Sequence, residues 1–244
     1  MSRLMNRLLK ITFFLFIICF SFVSDSMLNG DVQLLTLSSY TTSIEDQDYN
    51  VKANIALAAN KLNGVVIRPD EVFSFNSVVG DGSAANGFHI GRVLYQDTVA
   101  YEPGGGICQV SSTLFNTMLL LGFPIVERHR HSNPVRYVPL GLDATIRYGK
   151  KDLRMKNPTS NHLYIYTSMN DKSLTIMING AMKPLHIFEI YTEEEEINLP
   201  FKEDENQKIR PGISVYVYRK KLLEGTVIEN LLLYKDFYPP VIMN

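Results

Sequence analysis

Gly104-Gly105-Gly106-Ile107-Cys108-Gln109-Val110-Ser111-Ser112-Thr113-Leu114-Phe115-Asn116 is the stretch from which the rest of the chain is read. Three glycines free the backbone for a tight turn, and Val110, Leu114, Phe115, Met118 and Leu119 recur at helical spacing up to Gly122. The spacing predicts a helix from the glycines to about Leu121, with Cys108 in its first turn. There the unpaired amides and the positive end of the helix dipole lower a thiol's pKa and favour the thiolate, the nucleophilic form. The same amides, with Gly105 and Gly106 allowing close approach and Gln109 and Ser111 adding polar groups, suit a substrate-binding turn able to hold an oxyanion. A small buried cysteine capping a glycine-rich turn is the plainer alternative.

The thiol is unusual because of its company. Arg3, Arg7 and Lys10 precede the uncharged run from Ile11 to Val23, followed by Ser24 and Ser26, a secretory signal pattern too short for a comfortable spanning helix. Residues 1–26 therefore read as a signal peptide or N-terminal anchor. Cys19 falls inside it, and bulky Ile18 before it argues against lipidation. The chain has two cysteines in all, so the exported part keeps Cys108 alone, with no internal disulfide partner. Such a residue is buried, paired with another molecule, metal-bound or reactive.

A thiol nucleophile needs an imidazole to move protons. His129 and His131 follow on a stretch, Ile125 to His131, that reads as extended, where residues two apart share a face. Both then reach Cys108, His131 being preferred for its place before the Ser132-Asn133-Pro134 turn. Asp143 at the next strand's start is the expected orienting carboxylate, with Asp152 as substitute. Cysteine at a helix start, histidine on a strand and aspartate on the next strand parallel the layout of papain-like and transglutaminase-like enzymes. A zinc site of Cys108, His129, His131 and Asp143 is the rival, weakened by the lack of a second cysteine; neither a metal nor another cofactor is expected.

Around these residues the chain divides into a lead-in at 27–48 with a strand near Val32 to Leu37, a main domain at 49–180, and a β-rich C-terminal extension at 181–244. Asp48 caps an expected helix from Tyr49 to Leu62. Short strands are read at Val65–Ile67, Glu71–Phe75, Phe88–Tyr101, Val135–Val138, Ala144–Tyr148, Leu153–Lys156, Leu163–Thr167, Leu174–Ile178 and His186–Tyr191, and a hairpin turns at Glu224-Gly225. The acidic run Glu193 to Glu196 reads as a solvated loop or linker. The fold class is thus α+β, two main helices packed on a largely antiparallel sheet. Lys and Arg number 24 against 25 Asp and Glu, which excludes a general nucleic-acid binder. Locally, Arg128 to Lys156 carries Arg128, Arg130, Arg136, Arg147, Lys150, Lys151, Arg154 and Lys156 against Asp143 and Asp152. Arg130 and Arg147 are therefore candidates to hold acidic cell-envelope material, although alternate strand positions could equally scatter these charges over a solvated face.

The glycine-rich stretch, together with Ile125-Val-Glu-Arg-His-Arg-His-Ser132, Tyr137-Val-Pro-Leu-Gly-Leu-Asp-Ala-Thr145, Asp152-Leu-Arg-Met-Lys-Asn157 and Asn63-Gly-Val-Val-Ile-Arg-Pro-Asp-Glu-Val-Phe-Ser-Phe-Asn76, resembles the VanW domain family over roughly Tyr49 to Gly180. Asp70 departs from the glycine expected after Pro69. The resemblance implies a Gram-positive envelope setting, a link to glycopeptide-resistance gene clusters, and an association with L,D-transpeptidase activity. In that chemistry a cysteine attacks a peptidoglycan stem peptide, forms a thioester and passes the acyl group to another stem's amine. The motif cysteine falls on Cys108, the motif histidines on His129 and His131, and the aspartates on Asp143 and Asp152. Two functions follow: a secreted or envelope-associated cysteine acyl transferase acting on peptidoglycan, or a non-catalytic envelope-binding or accessory protein. Hydrolysis by a thiol peptidase or amidase is the neighbour of the first.

Overall fold

The computed structural model describes residues 33–95, 98–197 and 208–243. The leader and the acidic residues 203–205 lie outside them, and the described chain from Leu34 onward belongs to one unit. Elements come in the order β1 (Leu35–Ser43), α1 (Tyr49–Leu62), β2 (Val66–Ile67), β3 (Val72–Ser74), α2 (Phe75–Val79), β4 (Ile90–Tyr95), β5 (Thr98–Pro103), α3 (Ile107–Leu119) and β6 (Ile125–Glu127), then strands only. These are β7 (Arg154–Lys156), β8 (Leu163–Met169), β9 (Ser173–Gly180), β10 (Ile187–Ile197), β11 (Lys208–Arg210), β12 (Gly212–Leu223), β13 (Thr226–Tyr238) and β14 (Val241–Met243). Every strand pairing among the described residues is antiparallel. The class is α+β and strand-rich, with a four-stranded sheet in the order β1-β9-β8-β2 and a three-stranded sheet in the order β10-β12-β13.

Asp48 accepts from the Val51 amide at 2.9 Å and starts α1 where the sequence places it, burying Val51, Ile55, Ala58, Ala59 and Leu62. The helix α3 departs from an amphipathic stripe, because every residue from Gln109 to Leu119 is buried. Its polar side chains are spent inside. Thr113 meets Thr42 of β1 at 2.9 Å, and Thr117 donates to the Ile176 carbonyl of β9 at 3.2 Å. On the opposite flank Asn116 donates to the Leu142 carbonyl at 2.8 Å. These bonds satisfy groups whose burial unpaired would cost about 1–3 kcal/mol each, so α3 is the central strut between the main sheet and the segment that carries Asp143.

Several local expectations are corrected. The first strand starts at Leu35 and runs on to Ser43, and Val32 lies outside the described residues. Ile125 to His131 is strand only as far as Glu127, since Arg128 turns inward to a buried carboxylate pair. Val135–Val138 forms no strand, and of Ala144–Tyr148 only Arg147 forms a bridge, to Lys151. The glutamates 193–196 are no linker: they continue β10, whose register with β12 is unbroken from Ile187–Leu222 to Ile197–Gly212. A charged sheet edge is stable in water and resists pairing with other chains. Asp70 takes a left-handed φ of 60°, the conformation that glycine would adopt after Pro69, and holds Lys156 at 2.8 Å.

Candidate thiol site at the start of α3

The glycines build the turn by packing. Gly106, the N-cap, has φ 102°, and a Cβ there would come within 2.9 Å of both Val51 and Ile55. A Cβ on Gly105 would lie 2.6 Å from the Arg92 carbonyl of β4. Their smallness thus seats α3 against α1 and β4. Gln109 is likewise turned inward, its amide donating to Ser43 O at 2.7 Å and Thr42 Oγ1 at 3.1 Å. Ser111 is buried, with Oγ 2.5 Å from the Ala144 carbonyl and 3.0 Å from the Cys108 carbonyl. Ser112 accepts from the Ala144 amide at 2.9 Å. Together the two serines fasten residues 144–146 alongside the first turn of the helix.

That fastening frames Cys108. Its half-buried Sγ lies 3.6 Å from Thr145 Oγ1 and 3.7 Å from the Ile146 carbonyl, and it is a free thiol. His131 lies close enough to act on the thiol through hydrogen bonding and charge. Nδ1 of His131 is 2.5 Å from Asp143 Oδ2, and the same oxygen accepts from the His131 amide at 2.7 Å. With Nδ1 so engaged, Nε2 is the nitrogen left for the thiol. Asp143 is 3% exposed and His131 11%, so the carboxylate and imidazole interact where water screens them little.

Each member perturbs the next. Burial pushes the Cys108 thiol up, but the hydrogen bond and charge of His131, with the bonds to the Ile146 carbonyl and Thr145, outweigh it and hold the thiol below its ordinary value. Burial would depress His131, whereas its bonds to Asp143 and Cys108 and their charges push it up to about 9. Burial opposes ionisation of Asp143 too, and His131 and Arg128 together keep it below the usual carboxylate range. The three shifts favour the ionised thiol, the protonated imidazole and the ionised carboxylate together. Tyr137, hydrogen-bonded to Ser112, stands edge-on to the imidazole at 6.5 Å, and burial with the nearby Cys108 charge holds its hydroxyl well above its normal value. Its hydroxyl thus stays protonated near the thiol.

The structure separates other candidates from this group. His129 is 38% exposed and places Nε2 3.0 Å from Glu127 Oε1, so the two histidines do not share one face. Asp152 accepts from the Asn76 amide at 2.9 Å and from Ser74 Oγ at 2.6 Å, which makes it a brace for α2. Arg130 donates to the His131 carbonyl at 2.6 Å and lies over the Tyr238 ring, so its guanidinium shapes the turn after His131. Arg147 is exposed at the hairpin that follows Ile146, next to exposed Tyr148 and Lys150. Among the described residues no three His, Cys, Asp or Glu side chains are grouped to hold a metal ion. Cys108, His129, His131 and Asp143 fail as a zinc set because His129 is committed elsewhere and Asp143 to its partners.

Three contributors were not singled out from sequence. Arg128 is buried against Asp143, and Thr145 and Tyr137 lie in the Tyr137 to Thr145 motif without a residue type that advertises a role.

Fold and site define a strand-rich α+β domain with a thiol, an imidazole and a carboxylate in line at a helix start. The VanW-like protein family model matches residues 50–179, more than half the chain, and the protein belongs to that family. The chain is 35% identical over 157 residues to YoaR, an uncharacterized protein of Bacillus subtilis (strain 168), covering 64% of this chain and 52% of YoaR. It is 28% identical over 194 residues to the vancomycin B-type resistance protein VanW of Enterococcus faecalis (strain ATCC 700802 / V583), covering 75% of this chain and 66% of that protein. The chain thus spans about half the length of the first relative and just under two thirds of the second. No solved structure matches it.

Proposed function

We propose that this protein is an exported cysteine acyl transferase of the L,D-transpeptidase kind, acting on peptidoglycan stem peptides through a thioester on Cys108. The observation that carries the reading is the line Cys108–His131–Asp143, in which a partly accessible thiol is paired with an imidazole fixed by a buried carboxylate. The family's link to vancomycin resistance, through the name of one relative, supplies the cell-wall context. The leader-like pattern of Arg3, Arg7, Lys10 and the apolar run Ile11 to Val23 supports export in this reading.

In this mechanism the Cys108 thiolate attacks a stem-peptide carbonyl, forming a C–S bond and a tetrahedral oxyanion at the positive end of α3. As the C–N bond breaks, the His131 imidazolium gives its proton to the departing amine. The incoming amine of a second stem then loses a proton to His131 and forms a new C–N bond while the C–S bond breaks. Water in place of that amine would make the reaction hydrolytic, the peptidase alternative. Asp143 keeps Nδ1 engaged so that Nε2 faces the thiol throughout. Exposed Arg147 and Lys150 on the neighbouring hairpin suit the free carboxylates of stem peptides. Cysteine-first order on a helix followed by histidine is the papain-like arrangement, here as an analogy of layout.

The test is intact-mass spectrometry of reduced protein incubated with disaccharide-tetrapeptide stems, beside Cys108→Ala. An acyl adduct on the wild type alone is expected. No adduct, with Cys108 unreactive toward a small alkylating reagent, would overturn the enzyme reading in favour of a non-catalytic envelope-binding protein, whose wall binding would survive Cys108→Ala and weaken with salt.

A further inference from the structure

Asp143 does not stand alone behind His131. Its other oxygen, Oδ1, accepts from Arg128 Nη2 at 2.9 Å and from the Tyr238 hydroxyl at 3.4 Å. All five N–H donors of Arg128 are placed: Nε on the Asp143 carbonyl at 2.7 Å, Nη2 on Asp143 Oδ1 and the Gly141 carbonyl at 3.1 Å, and Nη1 on both oxygens of Asp236 at 2.9 and 2.6 Å. The guanidinium is 5% exposed and faces the Tyr234 ring at 4.7 Å and the Phe115 ring at 5.6 Å. Tyr234 donates to the Gly141 carbonyl at 2.8 Å. Asp236, Tyr234 and Tyr238 all sit on β13, beyond residues 50–179 that carry the family match.

We propose that Asp236, acting through Arg128, is a positioning residue for Asp143, and that the sheet β10-β12-β13 is therefore an integral part of the thiol site. The reason is charge order. His131, Asp143, Arg128 and Asp236 form a run of alternating sign, plus, minus, plus, minus, in which burial pushes Asp236 up and Arg128 pulls it back. Were Arg128 opposed by Asp143 alone, its charge would cancel the field by which Asp143 favours the imidazolium. Asp236 takes up that cation with both oxygens, the strong two-point geometry of a charge-assisted pair. Asp143 is thus fixed in place while remaining a net negative neighbour to His131. The groups facing the imidazole and its carboxylate are Cys108 and Tyr137 on one side, and Arg128, Tyr238 and Asp236 on the other, with Arg130 beyond Tyr238.

This inference rests on the thiol–imidazole reading of the site, but its readout is titration and not turnover. The full chain, labelled with 15N-histidine, is titrated by NMR, the His131 signal being assigned by its loss in His131→Asn. Asp236→Asn removes one negative charge and frees Arg128 toward Asp143, so the His131 midpoint is expected to fall, a fall of about one pH unit leaving roughly fivefold less imidazolium at about pH 9. Asp236→Glu should restore most of the shift. Tyr238→Phe removes a donor from Asp143, makes that carboxylate more basic, and should move the midpoint slightly upward. A folded Asp236→Asn protein with an unchanged His131 midpoint overturns the proposal; if that variant does not fold, an unchanged midpoint in a folded Asp236→Ser protein does so. Absence of an acyl adduct with stem peptides overturns the acyl-transfer reading while these titration shifts persist.

Discussion

At the scale of the residue, Cys108 and His131 work as a pair, and the pH dependence of the thiol reports it. Cys108 is held below its ordinary value, with the hydrogen bond and charge of His131 the largest causes that lower it. In His131→Ala only burial and weaker bonds act on the thiol, which pushes its midpoint up. Iodoacetamide alkylation at pH 7 should then slow by about tenfold or more, since each unit of displacement is a tenfold loss of thiolate. Stopped-flow alkylation across pH 5 to 10 reads this directly, and a profile that His131→Ala leaves in place would separate the two residues. His129 supplies the contrast: paired with Glu127 and more exposed, its replacement by alanine should leave the alkylation profile within twofold of the wild type.

At the scale of the element, the start of α3 depends on Gly106 both for its left-handed backbone and for its smallness, which a comparison with Gly149 in the Arg147–Lys151 hairpin separates. Gly106→Ala adds a Cβ at φ 102° and 2.9 Å from Val51 and Ile55, so strain and overpacking act together and should cost about 2–4 kcal/mol. Gly149→Ala, at φ 72° with nothing within 4 Å of the new carbon, should cost only about 1 kcal/mol. Urea unfolding of both variants measures the difference; equal losses would mean that backbone conformation alone requires the glycine. Sequence patterning made α1 and α3 legible because caps and apolar spacing are local, and it made the β12–β13 hairpin legible through the Glu224-Gly225 turn. It failed where tertiary partners decide. The apparent strand to His131 breaks at Arg128 for the sake of Asp143 and Asp236, and Glu193 to Glu196 join a sheet because β12 lies beside them. Cys108, His131 and Asp143 could be picked out by residue type and order. Nothing near position 128 in the sequence points to a carboxylate 108 residues away.

At the scale of the whole molecule, Arg128 is where the family domain and the C-terminal sheet are joined, so its loss should be felt in both. Replacing it by methionine keeps bulk against Phe115 and Tyr234 but leaves Asp143 and Asp236 buried without their cation. Breaking a buried pair from one side typically costs about 3–5 kcal/mol, because the stranded charge must be neutralised or hydrated. Arg128→Met should therefore lower stability by roughly that amount in urea. Adding Asp236→Asn removes one stranded carboxylate and should recover part of the loss, giving a double-mutant coupling well above the error of a few tenths of a kcal/mol. Hydrogen exchange locates the effect: amides of β13 near Tyr234 to Tyr238 and those around Asp143 should lose protection together in Arg128→Met, since one side chain bonds both. If β13 alone opened while the Asp143 segment kept its protection, the arginine would be an anchor for the sheet only. Joint loss would mean instead that the field at His131 and the packing of the last hairpin are set by the same buried charge.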